Sequence, residues 1–273
     1  MWQRIQTALI LVLIVGLAMF ASSSPYLFIA MLIVGIALAA QEWTQFLPKP
    51  ATTTSMVHTP TFYVATVLVI NVVSLAFPVS WVGWWSASII VWLFAVIWIL
   101  QYPKKISWFD SRLTLVGVIL MTAAMTAMFY LWSLSPWWLM YVFVLVWSAD
   151  TGAYFVGRKF GKHKMAPSVS PNKSMEGLFG GLATGLIAVL LVVTFKLDYT
   201  GLALVFFVLL SLLTIIASVF GDLLESMFKR QVGIKDSGSI LPGHGGILDR
   251  IDSQLSAMPI FALGYWAIQQ FII

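Results

Sequence analysis

The charged residues of this sequence are concentrated in one stretch that runs from Asp222 to Asp252. Only 9% of the chain is charged, yet these 31 residues hold nine Asp, Glu, Lys and Arg side chains and one of the three histidines. A charged group is costly to keep among apolar segments and usually serves a function there. This stretch is therefore the first place to look for a site.

Four carboxylates of this stretch form two pairs with the same spacing. Asp222 and Glu225 are three residues apart near the end of one apolar run, and Asp249 and Asp252 are three apart at the start of the next. On a helix, this spacing places both members of a pair on one face. The pairs could form salt bridges with three nearby cations: Lys229, Arg230 and Arg250. They could instead hold Mg²⁺, which takes one or two carboxylates together with substrate phosphates and water.

The segment between the two acidic pairs is rich in glycine. Pro242-Gly-His244-Gly-Gly246 leads into a helix that we predict to begin near Ile247. The free amides at a helix N-terminus bind anions, so the segment is suited to a phosphate group. His244 could be a general base, a hydrogen-bond donor to phosphate or a structural hydrogen-bonding residue.

A second polar segment follows the sixth apolar run. It begins at Asp150, which lies too far inside the run for an ordinary surface carboxylate, and ends at Ser170-Pro-Asn-Lys173-Ser174. Four basic residues fall within positions 158–164 of this segment. Such a cluster beside a membrane either attracts anionic lipid headgroups or belongs to a phosphate site. The predicted turn around Lys173, with its hydroxyl and amide donors, favours the phosphate site.

Apolar helices must position these polar segments. The 273 residues are 60% apolar with a mean hydropathy of +0.96, which excludes a soluble domain. Runs able to span a bilayer, or nearly so, lie at about 5–22, 25–41, 61–78, 82–101, 113–134, 136–155, 177–195, 201–220 and 254–272. We predict an all-α polytopic membrane protein with about nine transmembrane helices. It forms one membrane domain, 1–273, in which the helices of 1–135 precede the catalytic helices and loops of 136–273.

The distribution of basic residues predicts the orientation of these spans. With a cytoplasmic N-terminus and nine spans, Lys196 is the only one of the 15 Lys and Arg residues outside, as the positive-inside rule requires. The polar segments then lie on the cytoplasmic side, and the C-terminus lies outside.

The net charge of +5 is spread over these membrane-proximal loops, so nucleic acid is not an expected partner. The lack of cysteine excludes disulfides and thiolate metal sites.

Two further features have open interpretations. Gly177, Gly181 and Gly185 recur every four residues in the seventh run, and such a ridge allows close helix packing within a subunit or between subunits. Glu42 directly follows the second run. Its carboxylate is either solvated or supports the site.

The segment from Ser226 to Asp252 resembles a known family. It reads Ser-x-Phe-Lys-Arg-x4-Lys-Asp-x-Gly-x2-Leu-Pro-x-His-Gly-Gly-Ile-x-Asp-Arg-Ile-Asp, which is similar, position for position, to the pattern of bacterial phosphatidate cytidylyltransferases (CDP-diglyceride synthases). The segments 150–157 and 170–177 also look like the family. The family's turn often has Lys-Lys-Thr or Gly-Lys-Thr after Ser-Pro, where this chain has Asn172-Lys173-Ser174.

The resemblance implies that CTP and phosphatidate give CDP-diacylglycerol and pyrophosphate at the cytoplasmic face of the bacterial inner membrane. The cofactor it implies is Mg²⁺, with a second cation as an option, and a homodimer is a further option. The implied catalytic residues are Asp222, Asp249, Asp252, Lys229, Arg230 and Lys235, of which the three aspartates would be the metal ligands. The implied substrate-binding residues are Lys173, Ser174, Ser226, Asp236, His244, Arg250 and Asp150. Membrane lipids are further expected partners, because they surround the protein.

The competing function is an ion-coupled or proton-coupled transporter, in which intramembrane carboxylates and lysines are also common. Transporters usually place such groups near the midplane and between repeated halves, and this sequence has no internal repeat. A CDP-alcohol phosphotransferase is disfavoured because its Asp-Gly-x-x-Ala-Arg runs are absent.

The orientation can be tested with a reporter fused after Ile273. We expect the reporter to behave as an external one, because an odd number of spans places the two termini on opposite sides of the membrane. A reporter fused in the segment that contains Lys173 serves as the cytoplasmic control. A cytoplasmic reporter at both positions would exclude nine spans.

Overall fold

The computed structural model describes residues 2–21, 25–47, 59–103 and 112–272. The helices are α1 (Trp2–Phe20), α2 (Pro25–Trp43), α3 (Pro60–Ala76), α4 (Trp81–Gln101), α5 (Arg112–Leu134), α6 (Pro136–Phe160), α7 (Met175–Lys196), α8 (Gly201–Val232) and α9 (Leu248–Phe271). Short 3₁₀ turns lie at Thr44–Phe46 and Pro78–Ser80, and two strands, β1 (Lys164–Ala166) and β2 (Ser170–Ser174), precede α7. Lys49, Lys104 and Lys105, which contribute to the predicted orientation, lie outside the described residues.

Every predicted apolar run contains a helix, so the chain is an α-helical polytopic membrane protein. Six segments within the described ranges are long and apolar enough to cross a bilayer: Pro25–Phe46, Pro78–Gln101, Arg112–Leu134, Pro136–Phe160, Met175–Lys196 and Gly201–Val232. The apolar parts of α1 and α3 are shorter, and α9 carries charges in its first turns. Nine spans therefore remain a prediction.

Two helices extend beyond their predicted ends. α6 continues to Phe160 and α8 to Val232, whereas hydropathy ends the corresponding runs at 155 and 220. A helix needs backbone hydrogen bonds rather than apolar side chains, so it can continue past the bilayer. The residue that caps the C-terminus of α8 is Gly233. Its left-handed φ of 76° allows its N–H group to reach the carbonyl groups of Lys229 and Arg230. The extension places the charged residues of α8 on a rigid helix.

The segment that contains Lys173 is not the predicted turn, and the fold is not purely helical. Residues Ser170–Ser174 form strand β2, which pairs antiparallel with β1. The intervening residues form the turn, closed by the hydrogen bond from Val169 N–H to the Ala166 carbonyl group. A hairpin pairs the backbone groups of this polar connection, which hydropathy could not reveal.

The bundle is arranged around α5, whose side chains are largely buried. α5 packs against α3, α4, α6 and α9, and the charged helices form the neighbouring pairs α6–α7 and α8–α9. Its buried residues include four small ones, Gly117, Ala123, Ala124 and Ala127. Small residues let neighbouring helices approach closely in a membrane. The packing of α5 on α9 joins the first half of the chain to the half that carries the charges.

The glycine ridge of α7 packs within the subunit. A Cβ atom at Gly181 would lie 2.8 Å from the carbonyl oxygen of Ala149 on α6, and one at Gly177 would lie 3.0 Å from that of Ala153. Gly185 faces the side chain of Ile215 on α8 instead. The ridge therefore brings α7 against α6 and α8, two of the three other helices that carry predicted site residues.

Gly181→Ala is expected to lower the free energy of unfolding by about 1–3 kcal/mol, as overpacking does, because the Cβ would meet backbone that cannot rotate away. Thermal unfolding in detergent measures the change. Gly35→Ala on α2 is the matched control, because nothing lies within 4 Å of a Cβ there, and it should be neutral or slightly stabilising. Equal melting temperatures for the two variants would show that α6 and α7 are not in this close contact.

Candidate functional site

The ends of five helices that carry polar residues meet at one end of the bundle. α2, α6 and α8 end there, and α7 and α9 begin there after short connections, so residues distant in sequence are brought together. Gly221 lets α8 approach α9 closely, because a Cβ at this position would lie 2.5 Å from the carbonyl oxygen of Asp252. The neighbouring Asp222 is thereby placed beside the first turns of α9.

Lys229 connects the two acidic pairs. Its Nζ atom lies 2.9 Å from Glu225 Oε2, one turn earlier on α8, and 2.6 Å from Asp249 Oδ1 at the start of α9. The side chains of Glu225, Asp249 and Lys229 are only 3%, 5% and 13% exposed. Ion pairs shielded from water in this way are strong but need every charge to be compensated. Lys229 therefore compensates carboxylates on both helices.

A second lysine compensates the other end of the acidic group. Lys173, on β2, places its Nζ atom 2.6 Å from Asp222 Oδ2 and donates a hydrogen bond to the Val219 carbonyl group at 3.3 Å. Ser226 donates to Asp222 Oδ1 at 3.2 Å. Asp150, on α6, interacts electrostatically with Lys173 and Asp222. Two predicted polar segments thus meet in one site.

The cluster contains more negative charge than positive charge. Asp222 interacts electrostatically with Asp252, and Glu225 interacts with both Asp252 and Asp249. Four carboxylates facing two lysines leave two negative charges if all of them are ionised. A divalent cation fits this excess of negative charge, because it would balance the charge.

No three of the acidic or histidine side chains in the described ranges are arranged to hold a metal ion by themselves. Mg²⁺ typically uses one or two protein carboxylates and completes its coordination with phosphate oxygens and water. The three-aspartate ligand set of Asp222, Asp249 and Asp252 remains a prediction.

Asp249 also orders the glycine-rich segment. Its Oδ2 atom accepts hydrogen bonds from the N–H groups of Ser237 at 2.9 Å and Gly246 at 2.8 Å. Burial raises the pKa of Asp249, but the hydrogen bonds from Lys229 and from the Gly246 N–H group outweigh it and hold the pKa below its usual value. Both oxygens of this carboxylate are therefore engaged in holding the segment against Lys229.

Backbone conformation shapes the turn that carries His244. Gly243 and Gly245 have φ values of 75° and 82°, a region that side chains with a Cβ rarely adopt. The His244 N–H group donates to the Leu241 carbonyl group at 2.9 Å, while its buried Nδ1 atom has no partner among the described residues. All three sequence-based roles for His244 remain open.

Other predicted site residues lie at the edge of the cluster or have structural contacts. Lys235, Asp236 and Arg250 are exposed and form no ion pair within the described ranges. Arg230 donates to the Val169 carbonyl group at 3.3 Å, which ties α8 to the hairpin. Ser174 is buried and caps α7 by accepting a hydrogen bond from Gly177 N–H at 3.1 Å.

Two buried carboxylates of this region were absent from the predicted site residues. Glu225 forms an i, i+4 pair with Lys229, a spacing that is visible in the sequence and should have placed it in the site. Glu42 contacts the start of α9. Its partners are about 200 residues away, so no local pattern could indicate them.

Comparison with known proteins shows the family to which this chain belongs. The chain belongs to the cytidylyltransferase family, whose sequence pattern it matches over residues 2–268. The match includes every helix that contributes to the acidic cluster.

Among individual relatives, the chain is 38% identical to the phosphatidate cytidylyltransferase of Pseudomonas aeruginosa, with 97% of each chain covered. It is 36% identical to the phosphatidate cytidylyltransferase of Haemophilus influenzae, over 97% of this chain and 99% of that protein. It is also 43% identical to the Bacillus subtilis phosphatidate cytidylyltransferase over 181 residues, which is 61% of this chain and 64% of that one. The family predicted from the sequence is confirmed.

Asp249→Asn is expected to lower the free energy of unfolding by about 1–3 kcal/mol, the cost of leaving a buried polar partner unsatisfied. The Asn side chain keeps one acceptor oxygen, so its amide group must face either Lys229 or the two N–H groups. Thermal unfolding measures the loss. Asp236→Asn, exposed on the same segment, is the control and should leave stability unchanged. An unaffected Asp249→Asn would contradict the three hydrogen bonds assigned to this carboxylate.

Proposed function

We propose that this chain transfers a cytidylyl group from CTP to phosphatidate, giving CDP-diacylglycerol and pyrophosphate in phospholipid biosynthesis. The observation that carries the proposal is similarity over 97% of the chain to two proteins named phosphatidate cytidylyltransferase. The acidic cluster with its two lysines supports it, because both substrates are polyanions. No observation favours a transporter.

The reaction needs little acid–base chemistry from the protein. An oxygen of the phosphatidate phosphate attacks the α-phosphorus of CTP, a new P–O bond forms, and the bond from the α-phosphorus to the bridging oxygen breaks. Pyrophosphate leaves with that electron pair. A phosphate monoester has a second pKa of about 6, so the nucleophile is already largely ionised at neutral pH. The protein must align two polyanions and stabilise the charge that develops on pyrophosphate.

Lys173 and Lys229 are placed for this task. Each is held by a carboxylate at 2.6 Å, which fixes its position before substrate arrives. Lys235 and Arg250 are exposed on either side of the glycine-rich segment, and Arg230 lies beside the hairpin. These three cations are suited to meet phosphate oxygens as they enter. Lys173, Ser226, Asp150, Asp236, Ser174 and His244 complete the proposed substrate-binding set.

Mg²⁺ is the cofactor we propose, with Asp222 and Asp252 as its direct ligands and a second cation as an option. Asp249, whose oxygens already accept three hydrogen bonds, would act as a ligand only if one of them is exchanged. When bound, the cation would supply charge neutralisation for the phosphate groups.

The proposed location is the bacterial inner membrane, with nine spans, a cytoplasmic N-terminus and the site on the cytoplasmic side. CTP is a soluble cytoplasmic nucleotide, and phosphatidate is a membrane lipid, so the site must lie where the two meet. We also propose one membrane domain, 1–273, and the packing of α5 on α9 supports it. The homodimer remains a prediction.

The experiment is a Mg²⁺ titration of pyrophosphate release from CTP by the purified protein, with and without phosphatidate. We expect release only when both Mg²⁺ and phosphatidate are present, and none after chelation. Lys173→Ala should lower the rate by about 10²-fold or more, the cost of losing one strong electrostatic contact in the transition state.

The matched control for this assay is Lys196→Ala, at the opposite, exposed end of α7. It should keep the wild-type rate. Equal losses in the two variants would mean that the basic residues act only through nonspecific electrostatic attraction of lipid. Pyrophosphate release that does not depend on phosphatidate would contradict the proposed activity. Lys104, a basic residue of another predicted inner loop, would be a further control, but it lies outside the described residues.

A further inference from the structure

Glu42, in the last turn of α2, is a carboxylate buried against the glycine-rich segment. The residue is 2% exposed. Its Oε1 atom accepts a hydrogen bond from Ile247 N–H at 3.0 Å, and its Oε2 atom accepts from Leu248 N–H at 2.8 Å and from Ser237 Oγ at 3.0 Å. Among the residues whose side chains the structure describes, which do not include Arg4, no cation pairs with Glu42. Its charge is therefore stabilised by neutral donors of the segment and of α9.

These contacts make Glu42 the cap of α9. The N-cap residue of that helix is Ile247, whose side chain cannot accept a hydrogen bond and makes none. The first N–H groups of a helix need acceptors, and a negative charge is favourable beside them. Glu42 supplies both from another helix. The conformation of the first turn of α9, which contains Asp249, thus depends on α2.

Two glycines make room for this carboxylate. A Cβ atom at Gly246 or at Gly238 would overlap the Glu42 carboxylate group. The two positions lie on either side of the turn that carries His244, so the segment wraps around Glu42 and excludes water from it. This arrangement gives these glycines a role other than the phosphate contact expected from the sequence.

Ser237 connects Glu42 to the charged cluster. Its hydroxyl group donates to Glu42 and accepts a hydrogen bond from Asp249 N–H at 3.2 Å, and its own N–H group donates to Asp249 Oδ2 at 2.9 Å. Gln45, one turn after Glu42, donates from Nε2 to the Ser237 carbonyl group at 2.6 Å. Asp249 in turn holds Lys229. A continuous series of hydrogen bonds therefore runs from α2 to the lysine between the acidic pairs.

We propose that Glu42 is a positioning residue for the reaction. It acts through Ser237 to hold Asp249, and thereby Lys229, in the geometry that receives the phosphate groups of the nucleotide. This inference rests on the proposed function, but it assigns to the first half of the chain a specific part in the site. The residue itself does not touch substrate.

The test compares wild type with Glu42→Gln, which keeps the size of the side chain and removes its charge. The Gln amide group must face at least one of the three donors. We expect amide exchange at Ile247 and Leu248 to become at least about 10-fold faster, because these N–H groups lose a charged acceptor. In the folded enzyme, kcat/KM for CTP should fall by at least about 10-fold, on the scale of a displaced positioning group.

Two controls separate positioning from general stability. Leu32→Ala removes a buried side chain from the same helix, away from the segment, and should lower the melting temperature without changing kcat/KM or exchange at Ile247. Gln41→Ala changes an exposed neighbour of Glu42 and should have no effect. If Glu42→Gln loses activity only to the extent that Leu32→Ala does at a matched melting temperature, Glu42 is merely structural and the proposal is wrong.

A double-mutant cycle tests the route through Ser237. If Glu42 acts through this hydroxyl group, Glu42→Gln combined with Ser237→Ala should lose little more than the worse single variant, because coupled residues are not additive. Fully additive losses would overturn the route. The exchange measurement needs no turnover, so it decides whether Glu42 orders the segment even if wild type fails to use CTP. That failure would contradict the proposed function alone.

Discussion

The arrangement of charges at the end of the bundle depends on the contact of Lys229 with two carboxylates on different helices. Glu225 and Asp249 are almost fully buried, and without the ammonium group between them they would repel each other. Removal of the lysine from such a set typically costs about 3–5 kcal/mol, since uncompensated negative charge is left inside. α8 and α9 can therefore bring their acidic ends together only with this lysine in place.

The contacts of the cluster extend outward to three distant parts of the chain. Asp222 reaches Lys173 of the hairpin, and Asp249 reaches Ser237 and, through it, Glu42 of α2. The contacts of Asp249, Ser237 and Glu42 are shielded from water, where electrostatic interactions are strong, whereas Lys173 and Asp222 are partly exposed. The site is thus held by several helices and a hairpin, not by one flexible loop. This rigidity suits a reaction that depends on the alignment of two substrates.

The excess of carboxylates over lysines explains how the same cluster can serve polyanionic substrates. Acidic groups would repel phosphate by themselves, and lysines alone would bind it without holding a metal ion. In the proposed function, the carboxylates fix the positions of Lys173 and Lys229 and provide ligands for Mg²⁺, while the exposed basic residues around them meet the phosphate groups.

The apolar runs by themselves determined the helices, because a membrane span must be both apolar and helical, and the Glu225–Lys229 spacing determined a pair on one helix face. Hydropathy did not determine where α6 and α8 end, because backbone hydrogen bonds continue beyond the bilayer. Only the tertiary structure decided that Glu42 caps a helix 206 residues away. Local spacing defines which face a side chain occupies, whereas helix packing decides which faces meet.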